Sequence, residues 1–103
     1  MIKRWVKNGN PNVQHYCCLL NAEKAALAKK QKAAEAFYKY AIVLAARTGY
    51  LNDAALINER YAGFMKEVGD EDEAKYRLEE AIRFYRDWGA YAKVEQLSRT
   101  IAL

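Results

Sequence analysis

Ala34-Glu35-Ala36-Phe37-Tyr38-Lys39-Tyr40-Ala41-Ile42 is echoed forty residues on by Ala74-Lys75-Tyr76-Arg77-Leu78-Glu79-Glu80-Ala81-Ile82. Gly49 follows the first stretch and Gly89 follows the second at the same distance. Small residues three, four and seven apart lie on one face of a helix, where they let a second helix approach closely. A period of this length marks a repeated helix-turn-helix unit rather than a reaction centre. The expected fold is all-α: about five helices in antiparallel pairs, stacked as a short α-solenoid.

Working outward, every long segment has helical periodicity. Residues 1–9 read as the tail of a preceding helix or a linker, with Ile2, Trp5 and Val6 as its apolar residues. Residues 10–49 form the first repeat, 50–89 the second, and 90–103 a C-terminal capping helix. Asn10-Pro11 suits a helix start, because Asn caps and Pro at the first helical position loses no needed bond. The first helix is expected to bury Val13, Tyr16, Cys17, Leu20 and Leu27, and to end near Lys29–Lys30. The second is expected to bury Ala34, Phe37, Tyr38, Ala41, Ile42 and Ala45. The third, capped by Asn52 or Asp53, would bury Ala54, Ile57, Tyr61, Phe64, Met65 and Val68. The fourth opens on Asp70-Glu71-Asp72-Glu73, carboxylates that complement the positive end of a helix dipole. It would bury Ala74, Leu78, Ala81, Ile82 and Tyr85, and the fifth Val94, Leu97 and Ile101. Gly49, Gly69 and Gly89 are the expected helix stops, free to adopt the left-handed conformation. Repeat packing would rest on Ala34, Ala41, Ile42, Ala62, Ala74, Leu78, Ala81 and Ile82.

The chain of 103 residues suits one domain with a modest core, and 52% apolar with 29% charged residues argues against disorder. No apolar run reaches the roughly 18 residues needed to cross a bilayer. The adjacent Cys17 and Cys18 form no disulfide framework, so a reducing, cytoplasmic setting is expected. Charge is uneven. Residues 1–50 hold nine basic and two acidic groups (+7); the rest hold eight basic and eleven acidic (−3), giving the net +4.

Candidate sites weigh against chemistry. His15, Cys17 and Cys18 match no closed zinc pattern, and His15 and Cys17 diverge by about 200° on a helix. Asp70, Asp72 and Glu73 lack the glycine and distal glutamate of a calcium loop. Glu79 and Glu80 diverge as helix neighbours and form no glycosidase pair. No phosphate-binding Gly-rich loop or kinase catalytic loop is present. Neither a catalytic residue nor a cofactor is therefore assigned. Tyr16, Tyr40, Tyr50, Tyr76 and Tyr91 are the candidates to line a concave binding groove.

Two resemblances follow from particular residues. Gly69-Asp70-(x)3-Ala74-(x)3-Leu78-(x)2-Ala81 resembles the second half of a tetratricopeptide repeat, with Ala62 and Met65 on the small and aromatic positions of its first helix. Its period here is forty rather than 34, and Gly89 stands where a proline is customary. Trp5, Asn12-(x)2-His15, Ala22-Glu23-(x)-Ala25, Ala54-Ala55-Leu56-(x)2-Glu59 and Tyr85-Arg86-Asp87-Trp88-Gly89-Ala90-Tyr91-Ala92-Lys93-Val94 carry the other. They are similar to the C-terminal helical-repeat region of very large multidomain signalling proteins. Those proteins join a serine/threonine kinase-like domain, an AAA/STAND-type ATPase, helical repeats, a GAF sensor and a histidine kinase or cyclase output. The resemblance implies a non-catalytic, protein-binding scaffold segment that regulates a neighbouring domain, with ATPase and kinase activity elsewhere in the parent polypeptide. Partners would be a protein, a peptide or adjacent domains, with self-association through open solenoid ends as a further expectation. The alternative is a small basic nucleic-acid-binding protein using Lys24, Lys29, Lys30, Lys32 and Lys39. These lysines are spread around their helices, which disfavours it.

Overall fold

The computed structural model describes residues 14–102, and within them all regular structure is helical. Five helices follow one another: α1 (Gln14–Leu27), α2 (Gln31–Arg47), α3 (Leu51–Glu67), α4 (Glu71–Trp88) and α5 (Tyr91–Ala102). The expectations for Trp5, for the tail over 1–9, for the Asn10-Pro11 start and for Val13 lie outside the described residues. No described helix is long and apolar enough to cross a membrane.

The helices are joined by one repeated device. Lys29 (φ 60°), Gly49 (φ 83°), Gly69 (φ 90°) and Gly89 (φ 96°) all take the left-handed conformation. They stand twenty residues apart. Each turn closes with the same pair of backbone bonds. The left-handed residue donates to the carbonyl three back, as in Gly69 N–H to Lys66 O (3.2 Å), and the next residue donates to the carbonyl five back, as in Asp70 N–H to Met65 O (2.9 Å). These bonds satisfy carbonyls that a helix end otherwise leaves unpaired. The sequence shows no glycine at the first turn, yet Lys29 makes the same bonds to Ala26, and Lys30 to Ala25. A non-glycine residue in that conformation costs about 1 kcal/mol. Lys29→Gly is therefore expected to stabilise the fold slightly, by no more than about 1 kcal/mol after the added flexibility of the unfolded chain is counted, and so to raise the thermal midpoint a little. A melt lowered by that change would refute the assignment of strain to Lys29.

Local chemistry explains the helices between turns. α2 is alanine-rich, which favours helix with no side-chain entropy loss. α4 has Asp70 as its cap, accepting from Glu73 N–H at 3.1 Å, with Glu71, Asp72 and Glu73 in its first turn. The flanking residue of α3 falls two or three positions before its expected caps, Asn52 or Asp53. Tyr50 is the flanking residue and makes no side-chain cap bond, while Asp53 is drawn instead to side chains of α1.

Packing runs between sequence neighbours: α1 on α2, α2 on α3, α3 on α4, α4 on α5. Of the small packing residues, Ala34, Ala41, Ala62, Ala81 and Ile82 are buried, and Ile42, Ala74 and Leu78 are half-buried. The core has two parts. One gathers Ala22, Ala25, Ala34, Tyr38, Ala41, Ala45, Tyr61 and Met65 from α1 to α3. The other gathers Ala55, Ala81, Ile82, Tyr85 and Leu97 from α3 to α5. α3 belongs to both, and inside it Asn58 donates to Ala54 O at 3.1 Å while its Oδ1 lacks a protein partner.

The stripe expected for α1 is corrected. Tyr16, Leu20 and Leu27 are exposed, Leu27 at 86%. The buried face is His15, Ala22 and Ala25, flanked by Cys18, Leu19 and Ala26. Close approach to α2 selects small residues, so the large ones are left outside. Phe37 and Val68, also expected inward, are exposed as well.

Candidate interaction face

Long side chains link the odd-numbered helices to one another. His15 of α1 meets Asp53 of α3, and Glu23 further along α1 meets Arg60 further along α3. Glu59 of α3 then meets Lys93 of α5. These bridges span gaps instead of packed seams. Between α1, α2 and α3 lies a cavity of about 480 Å³, with Leu27, Leu56 and Phe64 as apolar lining and Glu23, Arg60 and Glu67 as charged lining. Between α3, α4 and α5 lies a second, of about 680 Å³, with Ala62, Leu97 and Ile101 as apolar lining and Lys66, Glu71 and Lys75 as charged lining. Gly63, mid-helix on α3, lines both and leaves open space where a side chain would stand.

Each bridge carboxylate also holds a tyrosine of the partner helix. The Tyr38 hydroxyl donates to Glu23, which accepts from Arg60 at 2.8 Å. The Tyr85 hydroxyl donates to Glu59 at 3.0 Å, and Glu59 accepts from Lys93 at 3.2 Å. A third tyrosine, Tyr61, points its hydroxyl at Glu35 of α2 at 3.4 Å and lies under the Arg77 guanidinium of α4, 4.7 Å from the ring centre. Fixed carboxylates with a cation on one side and a phenol on the other give this face an ordered pattern of polar groups. Exposed ion pairs such as Glu23–Arg60 add little stability, under about 1 kcal/mol each.

Burial, then neighbouring carboxylates, disfavours tyrosinate at Tyr16, Tyr38, Tyr61 and Tyr85. Burial and Asp53 push the Tyr16 phenol from 10.0 up to about 12, and burial with Glu35 does the same to Tyr61. Tyr38 and Tyr85 are pushed up for the same reasons, burial first and then Glu23 or Glu59. A phenol whose folded pKa is raised contributes stability that is complete below its unfolded pKa and is lost as pH climbs to the folded value. The tyrosinate absorbance of these four residues is therefore expected to rise late, with stability draining between pH 10 and about 12. Ionisation of all the tyrosines together near pH 10, with no loss of helix, would contradict it.

At the α1 start, His15 Nε2 lies 3.0 Å from Asp53 Oδ2, and the Tyr16 hydroxyl donates to the same oxygen at 2.7 Å. The His15 ring sits against Tyr16 and Tyr50, with centres 4.3 and 5.4 Å away. This cluster ties α1 to α3. Cys17 and Cys18 are half-buried thiols, and burial pushes Cys18 up, away from a reactive thiolate. Among the described residues no three His, Cys, Asp or Glu side chains converge as metal ligands would.

Of the five tyrosines expected to line a groove, the structure gathers Tyr16 and Tyr50 around His15. Tyr40, Tyr76 and Tyr91 are well exposed, and none of the five lines either cavity. The residues that do, Glu23, Glu59, Arg60 and Gly63, carried no local signal as a set, because their partners are 15 to 37 residues away. Lys24, Lys29, Lys30, Lys32 and Lys39 are exposed along α1, the first turn and α2. A comparison with protein-family models, curated proteins and solved structures finds no match for this chain.

Proposed function

We propose that the chain is a non-catalytic protein-binding segment, a short tetratricopeptide-like solenoid that serves as a regulatory scaffold within a larger cytoplasmic signalling polypeptide. The observation that carries this reading is the pair of contacts Glu23–Arg60 and Glu59–Lys93, which link the odd helices beside two cavities of mixed apolar and charged lining. Helix pairs that pack on sequence neighbours alone leave such a continuous face to a ligand. Apolar lining within a frame of oriented charges suits a peptide or a helix edge: burial supplies affinity and the charges fix register. The parent architecture rests on the resemblance carried by Trp88-Gly89-Ala90-Tyr91-Ala92-Lys93-Val94 and its companions.

The test is selection of displayed peptides on the folded chain, followed by amide chemical-shift mapping. Selected peptides are expected to shift residues around Leu56, Arg60 and Gly63, and to lose binding to Arg60→Glu. Arg60 is exposed, so that variant keeps its fold. Failure to enrich any peptide, together with tight, salt-dependent binding of nucleic acid through the Lys24–Lys39 region, would replace this reading with the nucleic-acid one.

A further inference from the structure

We infer that Gly63 is the point at which a bound peptide crosses α3, seating one large, uncharged apolar side chain in the cavity between α3, α4 and α5. The inference deepens the protein-binding reading and rests on it.

The fold itself has no use for a glycine at this position. Inside a helix, glycine is less favourable than any residue but proline. Gly49, Gly69 and Gly89 are explained by their left-handed turns, whereas Gly63 lies within α3 and has no positive φ. Packing does not demand it either, since a Cβ added there would meet no neighbouring group within 4 Å. What remains is the other use of a glycine, the close approach of a second molecule to bare backbone. Gly63 is exposed, on the wall shared by the two cavities.

The internal repeat separates those cavities. Glu23, Tyr38 and Arg60 line the one between α1, α2 and α3; forty residues on, Gly63, Leu78 and Thr100 line the one between α3, α4 and α5. They are copies of one position in the repeat. In the first copy the chain links its own walls, because Glu23 accepts from the Tyr38 hydroxyl and from Arg60. In the second, glycine, leucine and threonine are each smaller and cannot form that link. The space is larger there, about 680 against about 480 Å³, within the range of ligand-binding clefts.

The lining specifies the occupant. Ala62, Ala74, Leu78, Leu97 and Ile101 make the larger cavity apolar along one side. Of its charges, Glu59 is held by Lys93. Lys66 and Lys75 stand against Glu71 and Asp72, two cations with two carboxylates, so neither sign of ligand charge is favoured. The anchor is therefore uncharged: tryptophan, phenylalanine, leucine or methionine. A peptide suits the site better than a free small molecule, because the bare backbone at Gly63 lets a chain pass from one cavity to the other.

The experiment selects a displayed random-peptide library on the full chain, then synthesises and titrates the enriched peptides. They are expected to share one large apolar residue, and a photo-crosslinking leucine analogue in its place is expected to couple to Leu78 or Leu97. Replacing that residue by alanine, lysine or glutamate is expected to weaken binding about tenfold or more, as loss of an interface anchor does. Gly63→Leu is expected to weaken binding to a similar degree, with helical circular dichroism unchanged. Gly63→Ala is expected to raise the thermal midpoint, since it favours the helix and meets no neighbour, and yet to weaken binding. A midpoint lowered by Gly63→Ala would mean that the fold needs this glycine, and it overturns the inference. Full binding by Gly63→Leu, a charged residue at the shared position, or crosslinks confined to Leu27 and Leu56 in the other cavity overturn it too. In each of those cases the protein-binding reading stands; enrichment of no peptide at all overturns both.

Discussion

Substituting Ala81 by glutamate unfolds the second half of the molecule: that is the expected result, read as lost helical circular dichroism near room temperature. Ala81 has no exposed surface and sits with Ala55, Tyr85 and Leu97 in the core between α3, α4 and α5. Its methyl group lets α4 approach α3, the most extensively packed pair in the molecule. A glutamate there adds volume to a filled seam, at about 1–3 kcal/mol. It also buries a carboxylate with no partner, for about 3 kcal/mol or more. Together these approach the whole stability of a domain this size, about 5–15 kcal/mol. Ala81→Ser, with a small hydroxyl able to bond back along its own helix, is expected to lose far less. An unchanged melt for the glutamate variant would mean that α3 and α4 do not pack through this residue.

Tyr61→Ala is the second large effect, expected at about 3–5 kcal/mol by denaturant titration, as for other buried aromatic truncations. Tyr61 is fully buried, stacks on Tyr38 with centres 5.1 Å apart and planes 8° from parallel, and lies beneath Arg77. It therefore joins α2, α3 and α4 at one ring. Tyr61→Phe keeps the ring and loses a long bond to Glu35 at 3.4 Å, so its expected cost is about 1 kcal/mol or less. The contrast between the two variants separates ring packing from the hydroxyl. Equal losses would place the stability in the polar contact instead.

Much of the architecture is legible in the sequence because it depends on residues whose local chemistry is strong. Gly49, Gly69 and Gly89 announce their turns, and Asp70 with its acidic followers announces α4. The turn at Lys29 is not legible, since lysine gives no hint that it takes the left-handed conformation. The face of α1 is misread for a related reason. Periodicity is read from large apolar residues, and Tyr16, Leu20 and Leu27 make a convincing stripe. The helix instead packs through Ala22, Ala25 and Ala26, whose short side chains carry a weak apolar signal but permit close contact. At the interaction face, Asp53 reads locally as a helix cap, and only the folded chain brings His15 and Tyr16 to it. Glu23 and Glu59 look like ordinary surface acids until α2, α4 and the neighbouring odd helices supply their tyrosines and cations.

The four left-handed turns, evenly placed along the chain, also bear on how the molecule comes apart. Each helix is held mainly by the one before and the one after, so little must be brought together from far along the chain during folding. Such local wiring favours fast folding. It also removes the single all-or-none core: α5 touches α4 through one narrow seam, while α3 is gripped on both sides by α2 and α4. Amide exchange should accordingly be graded, quickest in α5 and slowest in α3, so that the molecule unzips from an end and keeps its centre until last.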